Sequence, residues 1–286
     1  MRHKAFSVLE PVVLAGSLLV ASGLFHLLWM WFTNAEWSGP LSPRKPGLFG
    51  VSGGLTIWSI AWGVKQCRPY RYDRLFARLM AGSLFAEVGL ITLQYWRGVP
   101  SHFNRSTTFD FYIEITMMVL IFLVTLGVAW LCSRSFRLVR MPRARSIAIR
   151  AGLGLLLISC GLGFMTTVLG EVNLERGRSP EIWGRAGVLK FPHGAALHAI
   201  QTLPMVAALL QWLRVSHAGV IVLQVAASHV FFLGYAIWQT LGGRSRSDID
   251  IVGGVLLLVS LTLLLIPCAM IGYNWLARNS QTRSTA

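Results

Sequence analysis

Charge is what this sequence has little of. Only 13% of its 286 residues are Asp, Glu, Lys or Arg, about half the fraction usual in soluble domains. A chain that is also 54% hydrophobic lacks the polar surface needed to cover a globule in water, which excludes an ordinary soluble domain. Acidic residues are the scarcest, 11 against 26 basic ones. The resulting formal charge of +15 invites a nucleic-acid reading. No basic run, however, is interleaved with aromatics as a base-stacking platform requires, so nucleic acid is not an expected partner. Cysteine is rare as well. Cys67, Cys132, Cys160 and Cys268 form no C-x-x-C pair, which argues against a disulfide framework or structural zinc and for buried thiols packing as small hydrophobes. No H-E-x-x-H, nucleophile motif or phosphate-binding glycine loop is present, so the sequence declares no enzyme. It carries no low-complexity tract, and only the tail 279–286 reads as disordered.

What is abundant is long apolar runs. Eight stand out, at about 10–32, 47–65, 75–96, 109–132, 147–170, 195–213, 218–241 and 250–276, each near the ~20 residues that cross ~30 Å of hydrocarbon. The expected fold is all-α, a polytopic transmembrane helical bundle of about eight spans forming a single integral membrane domain over 1–286. The first run is too long for a signal peptide and no small-x-small cleavage site follows it, so it is expected to be retained as a span. Basic residues cluster in alternate loops: Arg2 and Lys4, then Lys65 to Arg78, then Arg134 to Arg150, then Arg214, then Arg278 and Arg283. The intervening loops hold Glu36, Asp110, Glu171, Glu175, Glu181, Asp248 and Asp250. The positive-inside bias then puts both termini in the cytoplasm. Trp31, Trp96 and Trp238 mark outer ends of spans, and Trp130, Trp212 and Trp275 inner ends, as an aromatic belt does. The longest connection, about 171–194, faces outside and is long enough to cap an outward-facing cavity.

Ionisable groups inside spans are costly and usually face a bundle interior, so they are the natural functional candidates. Glu87 falls near the middle of the third run, with Gln94 seven residues on and hence on the same face. Asp110 and Glu114 share a face at the start of the fourth, and Thr107-x-x-Asp110 reads as a capping box. Of seven histidines, His3 and His217 belong to cytoplasmic segments and His229 to mid-membrane, while His26, His102, His193 and His198 fall toward the outer face. At ~1.5 Å of rise per residue, His26, Glu114 and His198 reach similar depths. Imidazole with carboxylate suits a transition metal or haem b, so His26, His102 and His198 are candidate cofactor ligands. His102, His193, His198 and Glu114 are candidate metal ligands. Glu87, Gln94, Gln201 and His229 complete the intramembrane polar set. His193, beside Pro192 and Gly194, is expected to precede its helix, because it is i, i+5 from His198 and the two cannot share a face. His198, Gln201, Thr202 and Met205 do fall on one face, just ahead of Pro204, which is expected to kink the span. Gly50-x-x-x-Gly54 permits close helix approach.

Two motifs stand out among these residues, Arg97-Gly98-x-x-Ser101-His102-Phe103-Asn104 and Pro192-His193-x-x-x-Leu197-His198-x-x-Gln201-x-Leu203-Pro204. Together they resemble a family of uncharacterised bacterial multi-pass membrane proteins. The chain departs from that pattern ahead of His193, where the loop lacks the family's glycine- and aspartate-rich character. The resemblance names no reaction. It points to His102, Asn104, His193, His198 and Gln201 as the positions that matter. The expected functions are a haem- or metal-binding redox protein or, as the alternative, a transporter using Glu87, Glu114 and His198. A lipid-acting enzyme with a histidine base follows, then an assembly partner of membrane-complex subunits or of its own copies.

Overall fold

The computed structural model describes the backbone of residues 2–137 and 141–284, and side chains from Leu9 to Ile266 within them, with Ala269 and Gly272 beyond. Apart from one hairpin of two-residue strands it is all-α, and it divides into two compact units, Met1–Val139 and Arg140–Ala286. Among the described residues seven helical segments are long and apolar enough to cross a membrane, and a further apolar stretch, Ile251–Ile266, is shorter. Large apolar side chains such as Leu14, Phe32, Leu126, Val168 and Leu258 are exposed along these helices. In water such a surface would drive aggregation; on a membrane span it is the face that meets lipid. The chain is a polytopic membrane protein.

The first unit is formed by α1 (Arg2–Thr33), α2 (Arg44–Gln66), α3 (Asp73–Trp96) and α4 (Thr108–Arg134), closed by one 3-10 turn, Ser135–Arg137. Glycine lets α1 and α2 approach closely. A Cβ on Gly50 would lie 2.7 Å from Gly23 Cα, and one on Gly54 would lie 2.4 Å from the Gly16 carbonyl oxygen. The G-x-x-x-G spacing thus brings two backbones together. At the far end of α4, Arg134 is buried, donates to the Arg68 carbonyl, sits 3.7 Å from the Asp73 carboxylate and lies over the Tyr70 ring. Burial pushes the neighbouring Cys67 thiol up to about 11, which makes it an inert core thiol at neutral pH. Cys132 is likewise a free thiol; the Cys268 side chain lies outside the described residues.

The second unit contains α5 (Arg143–Glu175), β1 (Ile182–Trp183) paired antiparallel with β2 (Gly187–Val188), α6 (Lys190–Leu197), α7 (Ala199–Trp212), α8 (Ala218–Leu241) and α9 (Ile251–Ser284). Its core is built on small residues, Ala148, Ala196, Ala199, Ala207 and Ala236, with Leu203, Leu210 and Val222 between them, so helices pack closely without bulky knobs. Helix α9 continues through 279–284, where the sequence reading expects a disordered tail; residues 285 and 286 lie outside the described residues. The connection after α5 is pinned down. Asn173 donates to the Ile182 carbonyl at 2.7 Å, Ala186 N–H to Gly243 O at 2.9 Å, and the Thr240 hydroxyl to Val188 O at 3.1 Å. A Cβ on Gly187 would fall 2.2 Å from the Thr240 carbonyl oxygen, so this contact requires glycine.

One helix boundary differs from expectation in a way that matters for the site. His193 does not precede its helix; it is the fourth residue of α6, with Pro192 in the first turn. Proline is tolerated there because the first N–H groups of a helix have no partner within it. The span Lys190–Trp212 is then interrupted at His198 rather than at Pro204, which lies inside α7. Pro204 cannot donate to the carbonyl of Ile200 and crowds it. The ladder loosens one turn further back, where the Thr202 hydroxyl donates to the His198 carbonyl at 3.1 Å.

Candidate functional site

Polar candidates in the first unit resolve into a tightly tied loop. Asp110, 1% exposed, receives hydrogen bonds from Gln94 Nε2 at 2.9 Å and Thr107 Oγ1 at 2.6 Å, a weaker one from Ser106 Oγ at 3.3 Å, and an ion pair from Arg97 at 2.6 Å. Its own N–H donates to Thr107 Oγ1 at 3.1 Å, the N-terminal cap expected from the sequence. Arg97 also donates to Gln94 Oε1 and lies over the Phe109 ring. Glu114 accepts the Phe103 N–H at 3.2 Å and sits 3.6 Å from Arg105 Nε. Phe103 has a left-handed backbone, φ 55°, a conformation that costs a bulky residue about 1–2 kcal/mol. The Glu114 carboxylate helps hold it there. Asn104 donates to Pro100 O and accepts from Ser106, and Ser101 Oγ meets His102 Nδ1 at 3.0 Å. The first motif therefore closes the α3–α4 loop on its own hydrogen bonds.

His26 is equally committed. Buried on α1, it donates from Nδ1 to Ser22 O at 2.7 Å and accepts the Trp96 indole N–H on Nε2 at 3.1 Å. The two partners, a carbonyl and an N–H donor, define the tautomer and leave neither ring nitrogen for a ligand. Glu87 is the exception in this unit. It is 5% exposed on α3 and has no hydrogen-bond or ion-pair partner among the described residues. The side chain of Met80 meets Gly127, and Gln94 meets Asp110, so the α3–α4 register sets Glu87 opposite the stretch of α4 around Met117 to Leu120.

The second unit assembles a different arrangement. His193 donates from Nδ1 to the Ser159 carbonyl at 2.8 Å, and Ser159 Oγ returns a bond to the His193 carbonyl at 2.8 Å, tying α6 to α5. His198, exposed at the α6–α7 interruption, donates from Nδ1 to Gln201 Oε1 at 2.8 Å. His229 on α8 meets the Thr202 hydroxyl through Nε2 at 2.7 Å. With the hydroxyl proton on the His198 carbonyl, Thr202 accepts from His229. His198 follows His193 by five residues, and its carbonyl accepts the same Thr202 hydroxyl that meets His229. Each of these three imidazoles has one ring nitrogen in a hydrogen bond and the other without one among the described residues.

The structure thus brings together His193, His198, Gln201 and His229 within one unit, and separately Gln94 with Asp110 and Arg97. The proposed metal set draws His102 and Glu114 from the first unit and His193 and His198 from the second. Among the described residues no three His, Cys, Asp or Glu side chains are grouped so as to hold a metal ion. Sequence reasoning missed Ser159, the partner of His193, and Trp96 as the partner of His26. It also missed Ser228 and Ser260, whose hydroxyls each donate to the other's carbonyl between α8 and α9, at 2.8 and 2.9 Å. A hydroxyl in mid-span was the only signal available, and it does not say which neighbour it will find. No protein-family model, curated protein or solved structure matches the chain, so the two motifs are read from their geometry alone.

Proposed function

We propose that this chain is an integral membrane carrier that moves protons, with His193, His198 and His229 as its relay. One observation carries the reading: three neighbouring imidazoles in one unit, each held by a neutral partner on one nitrogen and open on the other. A neutral imidazole with a free nitrogen accepts a proton there and releases one from the other side, which makes histidine rows suited to proton transfer. Gln201 and Thr202 hold two of the rings without adding charge. Glu87 is a second protonatable group on the carrier reading, while Glu114 acts in the loop. The basic loops support an orientation with both termini on the cytoplasmic side of a bacterial inner membrane. The test is proton flux into vesicles containing the purified chain, driven by a potassium gradient and read with a pH dye. His198→Ala is expected to lower the flux at least tenfold while exposed His217→Ala leaves it unchanged. Flux no greater than in empty vesicles, or insensitive to His198→Ala, would reject the carrier.

A second reading has its own support. A histidine oriented by Nδ1–H on a side-chain oxygen with Nε2 open is how metal- and haem-ligating imidazoles are held, and His198 on Gln201 has that form. An optical spectrum and elemental analysis of the purified protein separate the two: a Soret band or stoichiometric metal lost in His198→Ala favours the redox protein.

A further inference from the structure

A pocket of about 360 Å³ opens among the ends of α5, α7 and α8, and Arg143, Arg145 and Arg214 line it with Gln211, Ser216 and Gly219. No carboxylate is among its lining residues, and none of the three arginines has an ion pair or side-chain hydrogen bond among the described residues. Three guanidinium groups around one cavity repel each other unless an anion joins them. Their planar donor forks match phosphate oxygens in particular.

Arg214 gives a second reason to see a ligand. Its backbone is left-handed, φ 51°, in the turn that ends α7, where its N–H bonds Gln211 O and the Val215 N–H bonds Leu210 O. That is the helix-ending position glycine usually fills because it alone adopts such a φ without strain. Arginine at this position carries the backbone strain and places its guanidinium in the pocket lining. The first turns of α5 and α8, both without a side-chain cap, also border the pocket and add partial positive charge. Trp212, 71% exposed at the end of α7, marks the level of the lipid–water boundary. The cavity therefore lies at headgroup depth, in the part of a membrane protein where basic pockets between helices take anionic lipid.

We propose that this pocket binds a phosphate group, the headgroup phosphate of an anionic phospholipid. The test is native mass spectrometry of the full chain released from mixed micelles of phosphatidylglycerol and phosphatidylcholine, with inorganic phosphate as competitor and thermal unfolding in parallel. Phosphatidylglycerol is expected to be retained at least tenfold over phosphatidylcholine. Arg143→Gln and Arg214→Gly should each abolish that preference. Arg214→Gly also relieves the backbone, so its unfolding temperature without lipid should hold or rise, which separates a lost ligand from a lost fold. Displacement by millimolar inorganic phosphate, with the same loss in both variants, supports the phosphate site and assigns it to a soluble phosphate. Equal retention of the two lipids overturns the proposal. So does an equal loss in Arg176→Gln/Arg178→Gln, exposed arginines outside the pocket.

Discussion

In the first unit the carboxylate of Asp110 takes bonds from a guanidinium, an amide and two hydroxyls, and His26 has a partner on each ring nitrogen. In the second, His193, His198 and His229 are each tied on one side only. Both sets were functional candidates of the same kind, ionisable groups at membrane depth, and their hydrogen bonding divides them. A buried charge whose every lone pair is met is locked, because any rearrangement leaves a polar group unsatisfied at a cost of about 1–3 kcal/mol. A neutral ring with an open nitrogen can gain or lose a proton while its other bond holds it in place. Full satisfaction marks architecture, and half satisfaction marks a group free to react.

Substitutions test that division by separating stability from activity. The largest effect is expected from Asp110→Ala, which removes the buried carboxylate that Arg97 and Gln94 share and should cost about 3 kcal/mol in detergent unfolding. A cost below about 1 kcal/mol would show that the network is not the lock described. Gly54→Leu, which forces a side chain into the α1–α2 contact, should cost about 1–3 kcal/mol with no specific change in flux per folded molecule. Ser159→Ala removes the hydroxyl that bonds the His193 carbonyl and also meets His193 Nδ1 at 3.1 Å; it should cost about 1 kcal/mol, slowing proton flux without stopping it. His198→Ala should change stability by no more than about 0.5 kcal/mol, since the ring is exposed, yet have the largest effect on flux. Equal losses of stability in His198→Ala and Asp110→Ala would erase the contrast.

The smallest effect concerns pH. The Gly253 N–H is the main cause that holds the Asp250 carboxyl below its ordinary value, with Trp238 and Arg244 adding to it. A depressed folded pKa contributes stability above the unfolded value of about 4, and that contribution is lost as pH falls through the folded value. Thermal unfolding followed from pH 7 to 3 should therefore show a small acid loss that Asp250→Asn flattens. A wild-type profile indistinguishable from that variant would show that Asp250 contributes nothing.

The class of fold was legible because apolar run length is set by bilayer thickness and needs no knowledge of neighbours. The Asp110 cap was legible for a similar reason, being a contact between residues three apart. The start of α6 was not: Lys190, Pro192 and His193 have loop composition, and only the tolerance of a helix's first turn for proline admits them. The candidate histidines were found, but their roles depend on Trp96, Ser159 and Thr202, which lie 70, 34 and 27 residues from His26, His193 and His229. His26 and His198 look alike in the sequence and differ completely in what their second nitrogen meets.

The reciprocal hydroxyl bonds between Ser228 and Ser260 have a consequence for how the last helix sits in different membranes. Each serine donates to the other's carbonyl, and a slide of one residue along the axis, about 1.5 Å, breaks both bonds at once. The depth of α9 is thus gauged against α8 and not against the lipid. When the chain passes between thinner and thicker bilayers, the hydrophobic mismatch falls on lipid stretching and on tilt of the pair together, while the vertical offset between the two helices stays constant.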